Sequence, residues 1–377
     1  MKIKIILVYI LVLTLMITGC ASDKPIRIGF VGTLTGPTSD TAIAGRRGVE
    51  MAVDEINSSG GVNGRSIELV VKDSLNDKEI SKKVAEEFLE ENIQLVIGDF
   101  TSNLTKSALE VIDGKDILYL SPTASSDYFN DKDDNLLRIS GKSDNIVGAI
   151  LQQMKAEGDD NIVIFKDKTN LVYVDTFSEA IESKVENNGG LIIDQVYFNG
   201  DQAIEGTSII SKLNDLDGEY DGILLLANAS STVSIVQTIR AGGINSNIYT
   251  SGWSNTPDLI RLGGQYIEGI YTVGAVDAAS TKVEYIEFAD KYEDYYGAKP
   301  SLPSMFAYDT MIALNKGLHE SKSVKAKAVK KAIIDIGIVE GLQDTFEIDK
   351  FGDSSREYMQ FIIKDGEIVR SDLSDNE

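Results

Sequence analysis

Ile28-Gly29-Phe30-Val31-Gly32-Thr33-Leu34-Thr35-Gly36-Pro37, then Gly48-Val49-Glu50-Met51-Ala52-Val53-Asp54-Glu55-Ile56-Asn57 and Gly60-Gly61-Val62-Asn63-Gly64-Arg65, form the stretch on which the fold turns. An apolar run closed by glycine reads as a strand over 26–31, because a strand covered on both faces loses its polar alternation. Val49, Ala52, Val53 and Ile56 recur at helical spacing and place an amphipathic helix over 44–56. The glycine-rich turn at 60–65 then returns the chain to a second strand over 67–71.

Outward from this unit the same alternation continues. A helix is expected over 80–89, a strand over 95–97, a helix over 102–111 with Leu104, Ala108 and Val111 aligned, and a strand over 117–120. The rhythm then starts afresh, with helices over 146–154, 176–185, 209–216 and 233–239 and strands over 162–165, 191–196 and 223–226. Two successive series of domain size point to an α/β chain of two doubly wound parallel-sheet lobes joined by a hinge, with strand ends facing a shared cleft. Helices over 283–295, 305–318 and 324–336 are expected to return to the first lobe, and a hairpin of 345–348 with 359–363 around Gly352 to finish the second. The boundaries that follow are 26–142 plus 275–344 for the first lobe and 143–274 plus 345–377 for the second. A length of 377 residues agrees, since it exceeds what one hydrophobic core supports.

The opening residues carry an address. Lys2 and Lys4 precede an apolar run over 5–17 that ends in Thr18-Gly19-Cys20, the pattern of a removable signal peptide over 1–19. That run is shorter than the roughly 20 residues a spanning helix needs. Cys20 is the single cysteine, so no disulfide forms within the chain, and 20–25 reads as a polar tether. The net charge of −23 arises from 36 basic and 59 acidic residues, and the leader holds no acid. Such a surface repels phosphate, which argues against nucleic acid as a partner and against direct adhesion to anionic lipid.

The residues that catalysis would need are missing from the sequence pattern. The one histidine, His319, ends a helical stretch and reads as a surface or cap group; with one His and one Cys, zinc sites of nitrogen and sulfur ligands are excluded. Asp131, Asp133 and Asp134 lack calcium-loop spacing. Gly29, Gly32 and Gly36 do not make G-x-G-x-x-G, and Pro37 with the polar residues 38–41 delays the helix that would cradle a pyrophosphate. A hydrolase built on Ser102 or Ser125 would have only His319 as its base. The expectation is a protein without catalysis, cofactor or metal.

Two loops invite a ligand instead. Gly98-Asp99-Phe100-Thr101-Ser102 and Leu120-Ser121-Pro122-Thr123-Ala124-Ser125 each follow a strand, and Ser102 falls where a helix begins. Hydroxyls and unpaired amides converging there suit an anion, because a helix N-terminus carries partial positive charge and lacks acceptors.

The strand, helix and turn blocks quoted first, with these two loops, resemble the bacterial branched-chain amino-acid-binding family, the type I periplasmic binding fold that serves ATP-driven importers. The resemblance covers nearly all of the chain beyond the leader. It implies an extracytoplasmic solute-binding lipoprotein, monomeric, that binds an amino acid or related small carboxylate and delivers it to an ABC transporter permease; the alternatives are a ligand sensor of the same fold feeding a membrane signalling receptor, or a binder of a non-amino carboxylate or amide. Thr18-Gly19-Cys20 resembles a lipobox, with Ile17 where leucine is usual, so Cys20 would carry the lipid anchor at the outer face of the membrane. The family's pattern makes Thr101, Ser102, Thr123, Ala124 and Ser125 the carboxylate loops, Tyr173 a ring that covers the ligand from the second lobe, and Asn228, Trp253 and Ser254 the rest of the pocket. Ser254 stands where an amino-acid binder commonly has Glu or Asp. Either another acid, with Asp309 as candidate, meets the α-ammonium, or the ligand has none.

Overall fold

The structure, a computed structural model, describes residues 24–36, 38–216 and 219–371. The leader, Cys20 and Pro37 lie outside the described residues.

The chain opens with β1 (Ile26–Gly32), α1 (Asp40–Ser58), β2 (Ile67–Asp73), α2 (Lys78–Glu90), β3 (Leu95–Ile97), α3 (Ser102–Ile112), β4 (Leu118–Ser121) and β5 (Leu136–Arg138). The strands pair in parallel in the order β2-β1-β3-β4-β5. β1 is buried except at Arg27, as a strand with helices on both sheet faces must be.

A second series follows: α4 (Ser143–Glu157), β6 (Asn161–Asp167), α5 (Leu171–Asn187), β7 (Leu191–Phe198), α6 (Gly206–Asp215), β8 (Gly222–Leu226), α7 (Ala229–Ala241), β9 (Asn247–Thr250), α8 (Pro257–Gly263) and β10 (Tyr271–Gly274). After it come α9 (Val283–Tyr296), α10 (Leu302–Ser321), α11 (Ala326–Ile336), β11 (Ile338–Glu340), β12 (Thr345–Ile348), β13 (Ser354–Ser355), β14 (Met359–Lys364) and β15 (Glu367–Arg370). The second sheet is seven-stranded in the order β15-β14-β10-β9-β8-β6-β7, parallel except where β14 and β15 join it antiparallel. The architecture is the expected one of two doubly wound α/β lobes.

The sheet memberships carry the chain between lobes three times: after β5, after β10, and between β13 and β14. On its return α10 packs along α1 so closely that a Cβ on Gly48 would lie 2.0 Å from the Ser304 carbonyl oxygen. The first and third crossings run side by side. Arg356 Nε donates to Ile139 O at 2.9 Å, Asn145 Nδ2 to Arg356 O at 2.6 Å, and Tyr358 OH to Ser140 O at 2.9 Å.

The expected closing hairpin does not form. Thr345–Ile348 pairs instead with Ile338–Glu340 and Ser354–Ser355 in a separate three-stranded sheet, while Met359–Lys364 pairs with Tyr271–Gly274. The reason lies in alternation: Phe346 and Ile348 both point inward and join the core of the first lobe, leaving Thr345 and Glu347 exposed. Gly352, at φ 100°, turns the chain beside β5, where its carbonyl accepts from Arg138 N at 2.9 Å.

Candidate functional site

The first side of the cleft is built where β3 and β4 end. Gly98 makes the turn possible: it adopts φ 134°, and a Cβ there would lie 1.9 Å from Val31 O. Asp99 then goes inward and pins the loop. Its Oδ2 accepts from Ser81 Oγ at 2.7 Å and Tyr119 OH at 3.2 Å, while its carbonyl accepts from Ser121 Oγ at 2.9 Å and Thr105 Oγ1 at 3.2 Å. Burial raises the Asp99 pKa above the ordinary carboxylate value, with the hydrogen bonds from Ser81 and Tyr119 opposing, and pushes the Tyr119 hydroxyl up as well.

With the loop fixed, Thr101 caps α3, its Oγ1 accepting from Leu104 N at 3.5 Å and its carbonyl from Thr105 N at 3.0 Å. Asn103 N donates across the cleft to Asn170 Oδ1 at 3.0 Å. Of the first amides of α3, which no helical carbonyl can satisfy, this leaves the one at Ser102 for a ligand. The Ser102 hydroxyl accepts from Ser126 N at 3.4 Å and keeps its own hydrogen to give. From the end of β4, Thr123 Oγ1 donates to Phe100 O at 2.7 Å and ties the two loops together, and Ser125 stands beside them.

The second side is aromatic. Tyr173, in the first turn of α5, packs 5.1 Å from Phe177 and meets Trp253 edge-on at 6.0 Å. Tyr358 reaches in from the third crossing, and burial raises the hydroxyls of both tyrosines. Between the two sides lies a narrow cavity of about 50 Å³, lined from both lobes.

The lobes are closed over it. Besides the bond from Asn103, Ser126 Oγ donates to Val172 O at 2.6 Å, Thr256 Oγ1 to Asp40 Oδ2 at 2.6 Å, and Asn76 Nδ2 to Asp201 Oδ1 at 3.2 Å. Each links an element of the first series to one of the second.

Of the residues singled out from sequence, Thr101, Ser102, Thr123, Ser125, Tyr173 and Trp253 line this one cavity. Four do not. Ala124 is buried behind the loop, its amide donating to Ser121 Oγ and its carbonyl accepting from Ser140 Oγ. Asn228 caps α7, accepting from Ser231 N at 2.9 Å and donating to Asp167 at 3.3 Å. Ser254 is fully buried and donates to Ser251 O at 3.2 Å. Asp309, read as a counter-charge for a ligand, is buried against Arg356 Nη2 at 2.6 Å and accepts from Leu342 N at 2.9 Å; its charge is spent inside the first lobe. Arg356 also reaches Asp344 at 2.8 Å and lies over the rings of Phe306 and Phe346.

Sequence reasoning missed Phe100, Asn170 and Tyr358 in the lining. Asn170 could have been found, since it precedes an amphipathic helix in the position typical of caps. Tyr358 belongs to a crossing segment without periodicity, and only the three-dimensional path brings it to the cleft.

Among the described residues lining the cavity, none is charged. His319 is exposed in the last turn of α10, away from Ser102 and Ser125, so neither serine has an imidazole base. Asp131, Asp349 and Asp353 do come together, but around Lys142 Nζ, which lies 2.8, 3.3 and 3.9 Å from them and supplies the positive charge. Among the described residues no helix is long and apolar enough to cross a membrane.

The family model described as periplasmic binding protein matches residues 25–366. A Leu/Ile/Val-binding protein homolog of Brucella suis is 24% identical over 354 residues, covering 89% of this chain and 87% of that protein. Among solved structures, a leucine binding protein of Thermotoga maritima superposes with a TM-score of 0.83 at 20% identity, covering 92% of this chain and 97% of the other. A solute binding protein of an ABC transporter from R. palustris, in complex with benzoate, gives 0.82 at 16% identity over 92% and 95% of the two chains.

Proposed function

The chain belongs to the periplasmic binding protein family, and from that premise we propose that it is the extracytoplasmic solute-binding component of an ABC importer, closing on an amino acid or related small carboxylate. One observation carries the reading: Ser102, whose amide has no helical acceptor and whose hydroxyl keeps its hydrogen, lines a single cavity between closed lobes together with Ser125 from the neighbouring corner. A carboxylate held there is neutralised by a helix N-terminus and hydroxyl donors, and no Arg or Lys is needed. Tyr173 and Trp253 complete the enclosure from the other lobe, so ligand contacts made only on closure shift the population toward the closed form. A permease that reads lobe closure would then take the cargo. The relatives support this reading, since one is a leucine binding protein and another holds benzoate.

The family implies a location outside the cytoplasm. Acylation of Cys20 would tether the exported monomer to the outer face of the membrane. Radiolabelled palmitate incorporated by the full chain and lost in Cys20→Ala is the expected outcome. The ligand reading is tested by thermal shift of the exported chain against amino acids, carboxylates and amides, where a true cargo raises the melting temperature with its concentration. Stabilisation by amides alone, with every carboxylate inert, would overturn it.

A further inference from the structure

We infer, resting on the proposed carboxylate site, that the cargo is an apolar or aromatic monocarboxylate that carries no ammonium group. The cavity can hold an anion but is poorly equipped to hold the cation that sits one bond away in an α-amino acid. Among the described residues that line it there is no Asp or Glu, and the smaller hollow beside it, which shares Thr41, Phe100, Thr101 and Trp253, has none either.

The acids on the surrounding elements are engaged elsewhere. Asp99 points inward to Ser81 and Tyr119, Asp309 is locked to Arg356, and Asp40 accepts from Thr256. Ser254, which the resemblance puts where an acid would meet the ammonium, is buried outside the lining. An ammonium closed into this space would lose its water without gaining a counter-charge, which is far more costly than burying a hydrogen-bonded neutral group.

Beyond the carboxylate corner the walls include Phe100, Ile146, Tyr173, Trp253, Leu302 and Tyr358, with the neutral polar groups of Thr41, Ser140 and Asn170 among them. They offer apolar and aromatic surface to the rest of the cargo, and a hydrocarbon tail or a ring satisfies them where an amine does not.

The test is calorimetric titration of the exported chain with matched pairs that differ only in the amine: leucine against isocaproate, and phenylalanine against hydrocinnamate, with benzoate and glycine betaine added. At least one amine-free acid is expected to bind about ten-fold or more tightly than its amino-acid partner. Equal or tighter binding of leucine or phenylalanine overturns this inference while leaving the carboxylate site standing, and so does a preference for glycine betaine over every amine-free acid. Failure of all of these compounds to bind overturns both.

Discussion

In the proposed site Ser102 would offer a ligand two donors from one residue, a helical amide and a hydroxyl, and only the second can be removed by substitution. Ser102→Ala and Ser125→Ala should each weaken a carboxylate by about 1–2 kcal/mol, the worth of a charge-assisted hydrogen bond. Calorimetry showing unchanged affinity in the double variant would remove both from the site. Asp309→Ala should act on the fold instead: Arg356 keeps only Asp344 as counter-charge and Leu342 N loses its acceptor, a cost of about 1–3 kcal/mol in urea unfolding. Asp99 sets a pH dependence. Its pKa is raised in the folded chain by burial, so its contribution is full below the ordinary 3.8 and is lost as pH rises through the raised value. Asp99→Asn keeps an acceptor for Ser81 and Tyr119 and should flatten that part of the stability profile, as read by denaturation at several pH values. Ser102 was legible in sequence because it follows a strand at a helix start. Asp309 was not, because its partner Arg356 lies 47 residues away and only packing brings them together.

Among the elements, the contact of α1 with α10 depends on the missing side chain of Gly48. Gly48→Ala would drive a methyl into the Ser304 carbonyl, and overpacking of this kind should cost about 1–3 kcal/mol, seen as a lower denaturant midpoint with an unchanged slope. The α1 periodicity through Val49, Ala52 and Val53 was plain from sequence because that face meets the core, and β1, β6 and β8 were plain because they are buried on both sides. β11 and β13 were not, since two or three residues hold no period and neither is an unbroken apolar run as β3 is. β12 was seen as a strand and given the wrong partners: the alternation of Phe346 and Ile348 identifies an inward face, and nothing local says which lobe that face looks into.

For the molecule as a whole, closure is the event to measure. Small-angle scattering should give a smaller radius of gyration when cargo is added, and Trp253, lining the cavity, should change its emission in the same titration. Thr256→Val removes the bond to Asp40 that spans the lobes and should weaken apparent affinity several-fold through a smaller closed fraction, with global stability little altered. Burial raises the Asp40 pKa in the folded chain, with Thr256 opposing, so its contribution to stability is full below the ordinary 3.8 and declines as pH rises through the raised value. Asp40→Asn should level that decline. The path of the chain also bears on how the protein is made. The first core lacks Phe346 and Ile348, and β10 lacks its neighbour β14, until the closing segment has left the ribosome. Both lobes are therefore completed only by the last part of the chain, which ties the setting of one to the setting of the other.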